Sequence, residues 1–273
     1  MPTDSPIQPP RSSKIPFSTI VDTGKYLALM GGLLWLISMS TDQLGYNWQW
    51  YRIPQYLWQT TDQGFTWGLL MQGLGVTFQI TVISMMLMLI IGLTIALLRM
   101  ASSWAGRGAA RVYMELIRNT PLLIQIFFIY FVVAPIIGMS GFWAAVIALS
   151  LFEGAYASEI FRAGITSIDK GQWEAAKSLG MAPYALYRHI ILPQAVRRVL
   201  PPLTSQAVSL IKDSALVSTV AILDLTQQGR MIDAETFLTF EIWFTVAAIY
   251  LFINLTLSGL VRVLEQRSNG VKP

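Results

Sequence analysis

The sequence predicts an all-α integral membrane protein with six transmembrane helices. Three observations carry that prediction: an apolar composition, six apolar stretches at or near membrane-spanning length, and a one-sided distribution of Lys and Arg. Hydrophobic residues make up 54% of the 273 residues and charged residues only 12%, with a mean hydropathy of +0.53. Soluble domains carry about 25% charged residues, so the composition points to a bilayer as solvent.

The elements follow in chain order. Residues 1–24 begin with five prolines in the first nineteen positions and no apolar periodicity, which predicts a disordered tail. Residues 25–69 then form an extra helix and an outer loop. The helix, Lys25 to Ser40, also fits the core of a signal peptide, but no convincing small-x-small cleavage site follows, so it is read as an uncleaved span. The loop from Thr41 to Trp67 holds Tyr46, Trp48, Trp50, Tyr51, Tyr56 and Trp58, residue types that settle at the headgroup level.

The core, residues 70–264, contains five further spans: Leu74 to Leu98, Val112 to Ala134, Phe142 to Ile165, Pro202 to Leu223 and Phe240 to Leu264. Each approaches the roughly 20 helical residues that a hydrocarbon core requires. Residues 265–273 form a second tail. Sixteen Lys and Arg fall on the side of both tails and of the loop at 166–200, against Arg52 and Arg230 on the other, with Lys212 left inside a span. By the positive-inside rule both termini are cytoplasmic, which six crossings satisfy.

Several function classes are disfavoured. The chain has no cysteine, hence no disulfide framework or thiolate metal site, and its single histidine, His189, is read as a solvated loop residue. The net charge of +4 is scattered at the ends of apolar segments, unlike a nucleic-acid face. The acidic outer loop (Asp224, Asp233, Glu235, Glu241) has no His partners with which to build a membrane enzyme. No cofactor site is read. An ion-driven secondary amino-acid carrier remains as the alternative, against which stands the absence of an internal repeat.

The loop at 166–200 is the most structured polar segment. Gln172 to Leu179 predicts a helix with Glu174 in its first turn, favoured by the helix dipole, and Gly180 as a left-handed C-terminal cap. Pro183 fits the first position of a second helix, Tyr184 to Leu192, ended before Pro193. Ala175 and Ala176 would let another protein approach the helix backbone, with Trp173 and Leu179 as flanking knobs. An amphipathic connector resting on the membrane is the competing reading.

Within the spans, polar residues mark a candidate path. Lys212 and Asp213 fall near the middle of the fifth span with Ser209 on the same broad side, and Glu153 is similarly placed in the fourth. Lys212 with Glu153 or Asp213 could hold both ends of a zwitterion; a structural ion pair among them is the alternative. Glu159 and Arg162, three residues apart, are read as a structural pair. Thr120-Pro121 has the order of an N-cap and a first-position proline, so a broken helix there would aim its positive end at an anion.

The run Glu174-Ala175-Ala176, three residues, Gly180, nine residues, Ile190, one residue and Leu192-Pro193 resembles the coupling-loop signature of ABC-importer permease subunits. The segments Glu115–Leu123, Ala157–Ile165 and Leu210–Val217 resemble the polar-amino-acid branch of those permeases, and the resemblance covers about Leu70 to Leu264. It implies a type I importer transmembrane domain in a bacterial inner membrane, with coupling helices gripped by a separate ATP-hydrolysing subunit dimer. It also implies a substrate-binding protein, a second permease subunit, identical or related, and a polar amino acid as cargo. The sequence has no Gly-x4-Gly-Lys-[Ser/Thr] phosphate loop of its own. Glu153 departs from the small or aromatic residues common near that position in the family.

Overall fold

The computed structural model describes residues 24–32, 35, 46–61 and 64–269. The predicted tail over 1–23, part of the first span and residues 270–273 lie outside the described residues. The chain divides into two compact units, Met1–Trp48 and Gln49–Pro273. In the first, residues 24–32 are helical with exposed side chains.

The second unit opens with two short helical turns, Trp50–Arg52 and Pro54–Leu57, and a β-hairpin. Its strands β1 (Trp58–Thr61) and β2 (Gly64–Trp67) pair antiparallel with Trp58 opposite Trp67. Aromatic and Thr residues, alternating at Phe65-Thr66-Trp67, suit a strand pair, a feature that the reading of this stretch as an aromatic loop missed.

Helix α1 (Leu69–Met100) follows, then α2 (Trp104–Arg118), α3 (Leu122–Phe128, prolonged through a π turn at Ile129–Val133 to Ile137) and α4 (Gly141–Thr166). Short helices α5 (Lys170–Ser178) and α6 (Pro183–Leu186) lead through a π turn at Tyr187–Ile191 into α7 (Leu192–Asp213). A 3-10 stretch at Ser214–Val220, α8 (Leu225–Thr236) and α9 (Thr239–Asn269) complete the chain. Among the described residues three helices are long and apolar enough to cross a membrane: α1, α4 and the Thr239–Val263 part of α9.

Two predicted spans are corrected. The stretch from Val112 to Ala134 is not one rod, because α2 and α3 meet at 106°. Pro121 lacks an amide hydrogen and bars its predecessor from helical geometry, so α2 stops at Arg118. The buried Gln125 amide then donates to the Ile117 carbonyl (2.8 Å) and the Thr120 carbonyl (3.0 Å), satisfying acceptors that the helix end leaves open. The predicted span from Pro202 to Leu223 instead begins at Leu192 and loses α-helical geometry after Asp213. Arg197 and Arg198 occupy its first turns, so the residues gained at its start are not apolar, and the end at Asp213 leaves a shorter apolar stretch than the sequence pattern suggested.

α1 and α4 form the centre of the unit, with Ile80, Ala145, Leu149 and Leu210 of α7 in one buried cluster. Small hydroxyl residues permit the close fit and bond to helix carbonyls, as a low-dielectric setting demands. Thr81 donates to the Thr77 carbonyl (2.8 Å), and Ser84 crosses to the Val146 carbonyl (3.2 Å). A second cluster joins Leu70 and Leu74 of α1 to Leu225 and Ile232 of α8 and Ile242 of α9.

Candidate docking loop and translocation path

The segment between α4 and α7 folds around its own small core. Ile168, Ala176, Leu186, Ile191 and Ala195 are all buried there. Trp173 packs against this cluster and meets Tyr187 edge to face at 5.4 Å between ring centroids. Asp169 caps α5 by accepting from the Gly171 amide (2.6 Å), so the helix starts earlier than expected and Glu174 lies in its second turn, not its first.

At the other end, the Met181 amide donates to the Ala176 carbonyl (3.1 Å) and the Gly180 amide to the Lys177 carbonyl (2.9 Å). This paired closure needs a left-handed residue, and Gly180 supplies it with φ +71°. Pro183 occupies the first turn of α6, as its fixed φ favours. Pro193, however, does not end the second helix. The π turn just before it shifts the backbone register, and the chain continues as α7.

Exposure sorts the predicted docking residues. Glu174, Ala175 and Gly180 are exposed, and Leu179 stands out at 81% exposure. Ala176 faces inward, 4% exposed, and Trp173 is half-buried, so neither forms an open contact surface. The small size of Ala176 serves the loop's own packing. At the base of the loop the Arg198 guanidinium donates to the Ser167 carbonyl and, at 3.0 Å, to the Ser167 hydroxyl.

Of the path candidates, the structure brings Glu153 and Asp213 together. Glu153 is fully buried on α4, and its Oε2 accepts from Nε2 of Gln206 on α7. The Asp213 carboxyl lies within hydrogen-bonding reach of the same group. Glu153 Oε1 is buried without a hydrogen-bond partner. Gln206 was missed, although it stands seven residues before Asp213 and three before Ser209, a spacing that puts all three on one helix face.

Lys212 does not join this pair. Its side chain is exposed and forms no ion pair with Glu153 or Asp213; the ion pairs among the described residues converge instead on Glu159. Neither form of the predicted lysine pair is therefore present. Thr120 is not an N-cap either: Pro121 takes that position, while Thr120 donates to the Leu116 carbonyl (2.8 Å) and accepts from Gln125 Nε2 (2.8 Å). Ser209 is half-buried on α7.

Glu159 does pair with Arg162 (3.1 Å), and Arg99 (2.9 Å) and Arg118 (3.3 Å) join it from α1 and α2. The outer acids hold structure. Asp224 caps α8 through the Gln227 amide (2.8 Å), Asp233 accepts from Thr239 (2.7 Å) and the Trp243 indole (3.0 Å), and Glu241 accepts from the Gln49 amide (2.6 Å).

The chain is 40% identical over 202 residues to the glutamine transport system permease protein GlnP of Escherichia coli (strain K12), covering 73% of this chain and 92% of that one. It is 34% identical over 222 residues to the octopine transport system permease protein OccM of Rhizobium radiobacter, covering 78% and 88%. Among solved structures, an amino acid ABC transporter crystallised with histidines superposes with a TM-score of 0.69 at 40% identity, over 73% of this chain and 94% of that chain. The MetNI methionine ABC transporter in an inward-facing conformation shares the fold, with a TM-score of 0.59 at 20% identity over 71% and 95%. These likenesses favour an ATP-driven importer over an ion-driven carrier. The binding-protein-dependent transport system inner membrane component family matches residues 88–270, and the chain belongs to that family, the permease subunits of ABC importers whose ATPase is a separate subunit.

Proposed function

We propose that this chain forms half of the path by which a polar amino acid enters the cell, that residues 70–264 are the permease core, and that the loop at 166–200 docks a dimeric ATPase. A second permease, identical or related, completes the path, and both termini are cytoplasmic. One observation carries the docking assignment: α5 presents Glu174, Ala175 and Leu179 outward from a loop braced by its own buried cluster. A braced loop can transmit force where a floppy connector could not. The sidedness of Lys and Arg supports the orientation, and relatives that carry glutamine and octopine support the cargo class.

For the path itself, the buried Glu153 and the half-buried Gln206 and Asp213 form a polar group on facing helices. Two carboxyls at this range call for a proton or a cation between them, and a substrate ammonium is one such cation. Lys212 and Ser209, on the same helix, are available to a substrate carboxylate, while Thr120 and the Glu159–Arg162 pair fix helix ends and packing.

Crosslinking of the assembled complex tests the docking surface. The chain has no native cysteine, so single cysteines report cleanly. Ala175→Cys is expected to capture the ATPase and Ala176→Cys, being buried, is not. Glu174→Lys is expected to lower ATP-driven uptake in proteoliposomes. Capture from neither position, together with unchanged uptake, would sink the assignment.

A further inference from the structure

Where the ends of α1 and α4 meet α2, a cavity of 380 Å3 is walled by Arg99, Arg107, Arg111, Arg118, Arg162 and Glu159. Five guanidiniums thus line one cavity, and three of them, from Arg99, Arg118 and Arg162, share the Glu159 carboxylate. A second acid at the rim, Glu115, accepts from the Asn119 amide (2.8 Å). The cluster keeps a cationic excess after both acids are counted.

The arginines are unequally occupied. Arg99, Arg118 and Arg162 reach Glu159, and Arg107 Nη1 donates to the Ala101 (2.7 Å) and Ser102 (2.6 Å) carbonyls. Arg99 Nη1 is buried and, although close to Glu159, lacks a well-aligned acceptor. Arg111 is exposed at the cavity and makes no hydrogen bond or ion pair among the described residues. A pocket with surplus forked donors, the exposed Arg111 among them, suits a group bearing several anionic oxygens.

The helix that carries three of these arginines also indicates the source of that group. On α2, Arg107, Arg111 and Arg118 share one face at about 100° per residue; Trp104 flanks that face, Val112 lies further round, and Leu116 is on the far side. Those apolar side chains are 83%, 60% and 62% exposed. Helices with a basic face beside an apolar one rest in the membrane interface, where Trp anchors them. Basic pockets between membrane helices accept anionic headgroups.

We propose that this cavity binds a phosphate group, carried by an anionic phospholipid whose chains lie along Trp104 and Val112. The test uses the full chain copurified with its ATPase, titrated with phosphatidylglycerol, phosphatidylcholine or inorganic phosphate while thermal midpoint and retained lipid are followed by native mass spectrometry. Phosphatidylglycerol is expected to bind and stabilise, and phosphatidylcholine is not. Arg111→Gln should weaken the apparent affinity about tenfold, as loss of a charge-assisted bond implies, with Arg111→Lys intermediate because the fork is lost and the charge kept. Trp104→Ser should weaken the lipid without affecting inorganic phosphate. A saturable response to inorganic phosphate that Arg111→Gln abolishes, with none to lipid, supports the site and assigns its ligand to solution. Equal responses of wild type and Arg111→Gln to every probe, with assembly intact, overturn the proposal.

Discussion

Gly164 of α4 and Val199 of α7 meet so closely that a Cβ at position 164 would overlap the Val199 Cγ2 methyl. Directly beside this contact, Arg198 holds Ser167 at the base of the loop. The two ends of the docking loop are therefore clasped, and motion of the loop must reach α4 and α7 together.

Gly164→Ala is expected to force this clasp apart. Val199 is buried and β-branched, with little rotamer freedom to retreat, so overpacking should cost about 1–3 kcal/mol. The complex should lose thermal stability and coupled uptake. Val199→Ala in the same chain should restore both by removing the obstructing methyl. Failure of that second substitution to rescue would place the damage elsewhere.

Gly180 provides a separate handle on the loop. Its φ of +71° is left-handed, yet nothing lies within 4 Å of a Cβ built there. Backbone strain, not crowding, is the cost within the chain, roughly 1–2 kcal/mol for an ordinary residue. Gly180→Asn should be milder than Gly180→Val, since Asn tolerates this conformation. Limited proteolysis between Lys177 and Pro183 should rank the variants Val, Asn, Gly from fastest to slowest.

Part of this architecture was legible in sequence and part was not. Helix, Gly180 stop and Pro183 restart were readable because each residue acts locally, through a left-handed φ or a fixed one. The sharp turn at Thr120-Pro121 was signalled by the same chemistry, yet its consequence for the span was not, because an apolar run hides a change of direction. Ala176 and Trp173 were misjudged for a different reason. Helix periodicity gives a face but does not say whether the chain or a partner covers it, and here the chain does. Glu159 gathered Arg99 and Arg118 from helices distant in sequence, contacts that no local spacing encodes.

Asp224 should confer a pH-dependent stability on the face bearing α8. Burial pushes its carboxyl up from an ordinary 3.8 to about 6, opposed by the amide bonds it accepts as the α8 cap and by the charge of Arg230. A folded value raised above the unfolded one means the folded chain holds the proton more tightly. The contribution is thus complete below about 3.8 and lost as pH rises through about 6. It is of the order of 3 kcal/mol. Asp224→Asn keeps a good cap and should flatten the change in thermal midpoint between pH 5 and pH 8 relative to wild type; an unchanged slope would rule this group out as its source.

Glu153 separates a transport role from a packing role. Glu153→Gln preserves shape and leaves Gln206 an oxygen to donate to, and its amide can donate to Asp213, so assembly and thermal midpoint should change little. Loss of the acid removes the charge-assisted contact proposed for a substrate ammonium, and uptake should fall roughly tenfold or more. Glu153→Leu behaves differently: it strands the Gln206 amide in an apolar setting at a cost of about 1–3 kcal/mol, lowering stability as well as uptake. If the Gln variant transports at the wild-type rate while the Leu variant merely unfolds sooner, then Glu153 and its partners hold α4 to α7 and the substrate passes elsewhere.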